Sequence, residues 1–253
     1  MASADPLLID PETIDVVVFD IGGVFLIPHH DPVRQTLAGA GISVPADEQA
    51  FHRAHHVGVW AIAAAVVSGE VKPDEATSDL WLIYDNAYFA EIGVPAHQLD
   101  AASDGRREKR AYPVNDVWIY PLLSNVAAFH LLAAERADLQ FAIVSNNDGT
   151  AVEQMRDHGV CQVGPGPLPS IRILVDSAVI GVSKPDPAIF EPVLELLGGD
   201  PARMLYVGDT YQSDVIGARA AGLQVVQLDP YGLHEGFDHP RVADVGALVE
   251  LFT

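Results

Sequence analysis

The 253-residue chain contains one cysteine, Cys161. A single thiol cannot build a disulfide framework, so the small disulfide-stapled classes are excluded and a reducing compartment is expected. Positive charge is also scarce: 14 Lys and Arg stand against 35 Asp and Glu, for a net charge of −21, and only three residues are lysine. A polyanion of this size repels phosphate backbones and anionic lipid surfaces, so neither nucleic acid nor membrane is expected as a partner. Long hydrophobic runs are missing as well. The longest near-apolar stretch, 57–67, is too short to span a bilayer. The opening residues, MASADPLLID, have no basic segment followed by an apolar one, so no secretory leader is expected and the cytoplasm is the expected location.

What is present is globular. Hydrophobic residues make up 49% and charged residues 19% of the chain, enough to bury a full core. Its length fits one large domain or a core with an insertion. Five short aliphatic runs, 14–19, 139–144, 171–175, 204–207 and 223–228, read as buried strands because they are nearly continuous in apolar residues. Helical patterns separate the last four. In the clearest, Asp186 caps, Pro187 takes the first helical position, Ile189, Phe190, Val193, Leu194 and Leu197 share a face, and Gly198 stops the helix. The segments 149–159 and 213–222 repeat this pattern, with Ser213 expected at the start of the second. The expected fold class is therefore α/β, a doubly wound, Rossmann-like parallel sheet.

The first strand breaks the rhythm, because no buried parallel strand follows it until about residue 119. Helical spacing around 51–67 and 79–89 marks residues 29–119 as a helical cap inserted into a core formed by residues 1–28 and 120–253. Within the cap, His52, His55 and His56 read as a partly exposed face, and the run 105–110 as a solvated basic helix face. Trp60, Trp81 and Trp118 read as core.

In an open parallel sheet, ligands bind outside the carboxyl ends of the strands. Those ends carry Asp20, then Ser145-Asn146, then Gly208-Asp209 with Asp214 five residues later, while Lys184 stands in the loop SKPDP. Converging carboxylates repel unless a cation intervenes. Oxygen-only ligands suit Mg²⁺, and Mg²⁺, an ammonium and N–H donors around a carboxylate suit phosphoryl transfer.

At this point the sequence resembles the haloacid dehalogenase-like (HAD) hydrolases, in their phosphatase-like branch with a helical cap after the first strand. Four segments carry the resemblance in the family's order: VVVFDIGGV, FAIVSNN, GVSKPDPAIF and LYVGDTYQSD. The resemblance implies that Asp20 is the nucleophile and a Mg²⁺ ligand, that Gly22 offers a backbone carbonyl to the metal, and that Ser145 and the Asn146 backbone hold the phosphoryl group. It also implies that Lys184 balances charge, that Asp209 binds Mg²⁺, and that Asp214 binds through water or supports the ligands. The implied substrate is a small phosphorylated metabolite. One departure stands out: family phosphatases usually carry an acid/base Asp two residues after the nucleophile, where this chain has Gly22. His29 and His30 are the nearest substitute donors in sequence. Two other readings stay open on that account: a 2-haloacid dehalogenase, and a catalytically silent scaffold for a phosphorylated ligand.

Overall fold

The computed structural model describes residues 9–44, 46–72, 77–110 and 120–253, with backbone only at 77–79 and 106–110. Trp118, the segment 111–119 and the side chains of the basic run 106–110 lie outside the described residues. The chain divides into two compact units, Met1–Phe25 with Pro121–Thr253, and Leu26–Tyr120.

The first unit is built on a six-stranded sheet of β1 (Val16–Phe19), β2 (Gln140–Ser145), β3 (Ile173–Asp176), β4 (Met204–Gly208), β5 (Gln224–Leu228) and β6 (Arg241–Val242). Every pairing is parallel, in the spatial order β6-β5-β4-β1-β2-β3. β1 lies at the centre and all four of its residues are buried. Strand side chains alternate between faces. Val16 and Val18 join a cluster with Ile189, Phe190, Val193 and Tyr206, while Phe19 packs on Phe25 and Phe129 with ring centroids 5.3–5.4 Å apart. Burial on both faces explains why β1 reads as an unbroken apolar run.

The expected strands are all present, with shifted ends. The third begins two residues late because Ser170–Ile171 pairs instead with Gln162–Val163 in a separate ribbon. β6 escaped the sequence reading, since two residues carry no periodicity. The helix after Asp186 opens with a 3₁₀ turn, Pro187–Phe190, before continuing as Glu191–Leu197, and Asp186 accepts from the Ala188 N–H at 3.0 Å as its cap. Ser213 is not a cap. A π-turn, Tyr211–Val215, precedes the short helix Ile216–Ala220, and Thr210 takes the cap position, its hydroxyl and N–H both held by Asp214.

The second unit is helical: α1 (His30–Gly39), α2 (Glu48–Ser68), α3 (Thr77–Glu91) and α4 (Leu99–Arg110). Asp47 caps α2 through the Ala50 N–H at 2.9 Å, and Gly69, at φ 78°, ends it in the left-handed conformation that glycine tolerates. Gly58 of α2 is a close approach, because a β-carbon there would lie 2.6 Å from the Tyr84 ring. The expected partly exposed histidine face is corrected: His55 and His56 are buried, with His55 bonded to the Tyr84 hydroxyl at 2.9 Å, because α2 packs along its length against α3. Trp60 corrects the reading in the other direction, being 38% exposed, while Trp81 packs edge-on against Tyr84.

Candidate active site

The site forms at the carboxyl ends of the central strands. Asp20 continues the ladder beyond β1, its N–H donating to the Val207 carbonyl at 2.8 Å. Parallel register therefore sets Asp20 beside Gly208 and Asp209 at the end of β4. Ser145 is the buried last residue of β2. Asn146, immediately after it, grips Lys184 by its peptide groups: its Oδ1 accepts from the Lys184 N–H at 2.8 Å and its Nδ2 donates to the Lys184 carbonyl at 3.0 Å.

That grip aims the Lys184 side chain inward. Its Nζ lies 3.0 Å from Asp20 Oδ1, and donates to Asp214 Oδ1 at 2.6 Å and to the Tyr206 hydroxyl at 2.7 Å. Tyr206 in turn contacts the Val144 carbonyl at 2.9 Å. Asp214 is fully committed to protein donors. Its Oδ2 accepts from the Asp209 N–H, the Thr210 N–H and the Thr210 hydroxyl at 3.1, 2.8 and 2.7 Å. Asp214 thus holds the ammonium and the acidic loop in place, which fits a supporting role better than direct ligation.

Two glycines make room. A β-carbon at Gly23, where φ is 65°, would lie 2.0 Å from Asp209 Oδ2, and one at Gly208 would lie 2.4 Å from the Asp214 carboxyl carbon. Both positions need glycine for close approach, and Gly23 needs it for backbone conformation too.

Electrostatically the cluster is short of positive charge. Asp20, Asp209 and Asp214 each offer an oxygen within 4.8 Å of the others. All three are buried, and the one buried ammonium of Lys184 pairs with Asp20 and Asp214, which leaves the cluster two formal negative charges in surplus. Burial pushes the Asp20 carboxyl up to about 7; Lys184 pulls it down, while Asp214 and Asp209 push it up. Burial and Asp214 also raise Asp209 well above the usual carboxylate range, against the pull of Lys184. Burial works against the Lys184 ammonium, but Asp20 and Asp214 outweigh it and hold the pKa above its ordinary value. Among the described residues, the close partner of Asp20 Oδ1 is the Lys184 ammonium at 3.0 Å. Three clustered carboxylates, an all-oxygen donor set and two surplus negative charges together fit a divalent hard cation.

His29 and His30 belong to the second unit. His29 Nδ1 accepts from the Asp31 N–H at 3.0 Å and caps α1, and both imidazoles pack on Tyr120. Several contributors were missed in the sequence. Tyr206 reads there as one more core residue. Asp176, at the end of β3, accepts from the Gly149 N–H at 2.9 Å and so ties down the loop after β2. Neither has a local motif, since each acts through a neighbouring strand.

The sheet order, the strand-end cluster and the buried lysine define an α/β protein with a carboxylate–ammonium cluster at the ends of its central strands. The chain belongs to the haloacid dehalogenase-like hydrolase family, whose model matches residues 14–222. Phosphoserine phosphatase of Thermus thermophilus is 33% identical over 137 residues, 54% of this chain and 49% of that protein, so the chain spans about half the length of this relative. Pyrimidine 5'-nucleotidase YjjG of Escherichia coli is 28% identical over 157 residues, 60% of this chain and 67% of that protein. Among solved structures, the HAD-hydrolase YfnB of Bacillus subtilis, bound to magnesium, superposes with a TM-score of 0.57 at 16% identity, covering 95% of this chain and 99% of that one. A HAD phosphatase of Thermococcus onnurineus gives 0.52 at 18% identity, covering 94% and 97%. These structural likenesses concern the fold. Among the described residues, no helix is long and apolar enough to cross a membrane.

Proposed function

We propose that the protein is a Mg²⁺-dependent hydrolase of small phosphomonoesters, working through an aspartyl phosphate on Asp20. The observation that carries this reading is the clustering of the Asp20, Asp209 and Asp214 carboxylates, two of which, Asp20 and Asp214, pair with the Lys184 ammonium. The phosphatase and nucleotidase names of two relatives agree with it, since both act on small phosphate esters.

In this reading an Asp20 oxygen attacks phosphorus, the bond from phosphorus to the leaving oxygen breaks, and that oxygen takes up a proton. Water then attacks the phosphorus of the aspartyl phosphate, releasing inorganic phosphate and restoring the Asp20 carboxylate. Lys184 offsets the charge that builds between nucleophile and phosphoryl oxygens, and Ser145 with the Asn146 backbone binds those oxygens. Asp20, the Gly22 carbonyl and Asp209 would hold the cation, with Asp214 behind them. The cation, when bound, neutralises the carboxylate cluster and the phosphoryl oxygens. Position 22 supplies no side-chain acid for protonation of the leaving oxygen.

The test is phosphate release from a panel of small phosphomonoesters with Mg²⁺. Activity is expected to vanish with Asp20→Asn and with chelator. Full activity in Asp20→Asn would overturn the mechanism, and halide release from a 2-haloacid persisting in chelator would put dehalogenation in its place.

A further inference from the structure

Behind Asp209, between β5 and the loop after it, lies a buried polar network that none of the steps above uses. Its centre is Gln227, on β5 directly across from Gly208 and fully buried. The Gln227 Nε2 donates to the Asp209 backbone carbonyl at 2.6 Å and lies 3.2 Å from His234 Nε2. Its Oε1 lies 2.5 Å from His239 Nε2. Only one orientation of the amide satisfies these contacts, because the flipped amide would set its oxygen against the Asp209 carbonyl oxygen. With nitrogen on that side, His234 accepts through Nε2 and His239 donates from Nε2. Asp229 fixes the loop that carries His234, accepting from the Leu233 and His234 N–H groups at 2.8 and 2.9 Å. The His239 ring packs against Tyr211, with centroids 5.6 Å apart.

The consequence falls on Asp209. The peptide joining Asp209 to Thr210 is held at both ends, its carbonyl by Gln227 and its N–H by Asp214. The preceding peptide is held by Asp214 through the Asp209 N–H. With both flanking peptides pinned, the direction of the Asp209 side chain is set. The tolerance is small, because the carboxylate sits where a β-carbon at Gly23 would be. A buried amide with all its hydrogen-bonding groups engaged makes such a support rigid, and removing it leaves a buried carbonyl unpaired, which favours rotation of the peptide.

We infer that Gln227 is a positioning residue that orients the Asp209 carboxylate for a divalent cation, with His239 holding the Gln227 amide in register. Gln227 lies beyond residues 14–222, the stretch matched by the family model. The inference rests on the reading of Asp209 as a cation ligand given above.

The test uses Mn²⁺ alone, titrated calorimetrically into the intact protein without substrate, as a probe for a hard-cation site. Gln227→Met keeps side-chain length and removes both donors. Its Mn²⁺ affinity is expected to fall about 10- to 100-fold, the usual effect of losing a partner behind a metal ligand. The Mg²⁺ concentration for half-maximal hydrolysis is expected to rise in parallel, while kcat at saturating Mg²⁺ stays near wild type. A merely structural role would lower the melting temperature and leave cation affinity in the folded protein unchanged, and that result overturns the inference while leaving the hydrolase reading intact. Wild-type protein that binds no Mn²⁺ overturns the cation reading and this inference together. Should Gln227→Met fail to fold, His239→Phe decides: a several-fold loss of affinity supports the role, and wild-type affinity overturns it.

Discussion

The backbone of Gly23 and the carboxylate of Asp209 occupy adjoining space, so that a β-carbon at position 23 would lie 2.0 Å from Asp209 Oδ2. No side chain fits there without displacing a proposed cation ligand.

Gly23→Ala is therefore expected to lower phosphomonoester hydrolysis at least 100-fold. It is also expected to destabilise the fold by about 1–2 kcal/mol through the left-handed backbone alone, at the observed φ of 65°. Steady-state rates and urea denaturation check both effects. Near wild-type hydrolysis would mean that the Asp209 carboxylate does not need this place.

Gly22 leads to a prediction about leaving groups. Without an acid at this position, the wild-type protein should hydrolyse an aryl phosphate such as p-nitrophenyl phosphate far faster than an alkyl phosphate, since only the latter needs protonation as it departs. Gly22→Asp should raise the alkyl rate by about 10²-fold or more, the usual worth of a general acid, and leave the aryl rate little changed. An unchanged alkyl rate would show that another group already delivers the proton.

Acid stability tests the network behind Asp209. Burial, with the positive charges of Arg241 and Arg219 and the neighbouring His234, holds His239 down to about 4, against the opposing pull of Asp238. Tyr211 and Phe237 pack on its ring. The native imidazole thus stays neutral where the unfolded one takes up a proton. Its contribution to stability is expected to be complete above about pH 6.5 and to be lost progressively as pH falls toward 4. Asp229 acts in a separate window. Burial opposes its ionisation, yet the His234 and Leu233 hydrogen bonds hold its carboxyl at about 2, so its contribution is present above the ordinary carboxylate range and is lost only as pH falls toward 2. In thermal melts between pH 7 and 4, His239→Phe should show a shallower loss of melting temperature than wild type. Parallel curves for the two proteins would contradict the neutral, buried imidazole.

The contrast between Asp20 and Gln227 shows where sequence reading stops. Asp20 follows a run of four buried residues and precedes a glycine turn, so its place at a strand end was legible from residues adjacent in the chain. Lys184, Asp209 and Asp214 were legible for the same reason, each lying in a local strand-end or helix-start pattern. Gln227 sits inside an aliphatic run and His239 in an irregular loop, and they gain their partners only through the β4–β5 register and the return of the chain to β6. Tyr206 and Asp176 became visible in the same way, through neighbouring strands.

The sequence alone therefore determined the parallel α/β core, the strand ends and the chemical types gathered at them, because apolar continuity, caps and turns are properties of neighbours along the chain. Tertiary structure alone decided that three carboxylates gather and one ammonium pairs with two of them, that Asn146 clasps the Lys184 peptide, and that Gln227 bonds the Asp209 carbonyl. Those relations depend on strand order and register, which bring together residues far apart in the chain, and no local pattern encodes such a distance.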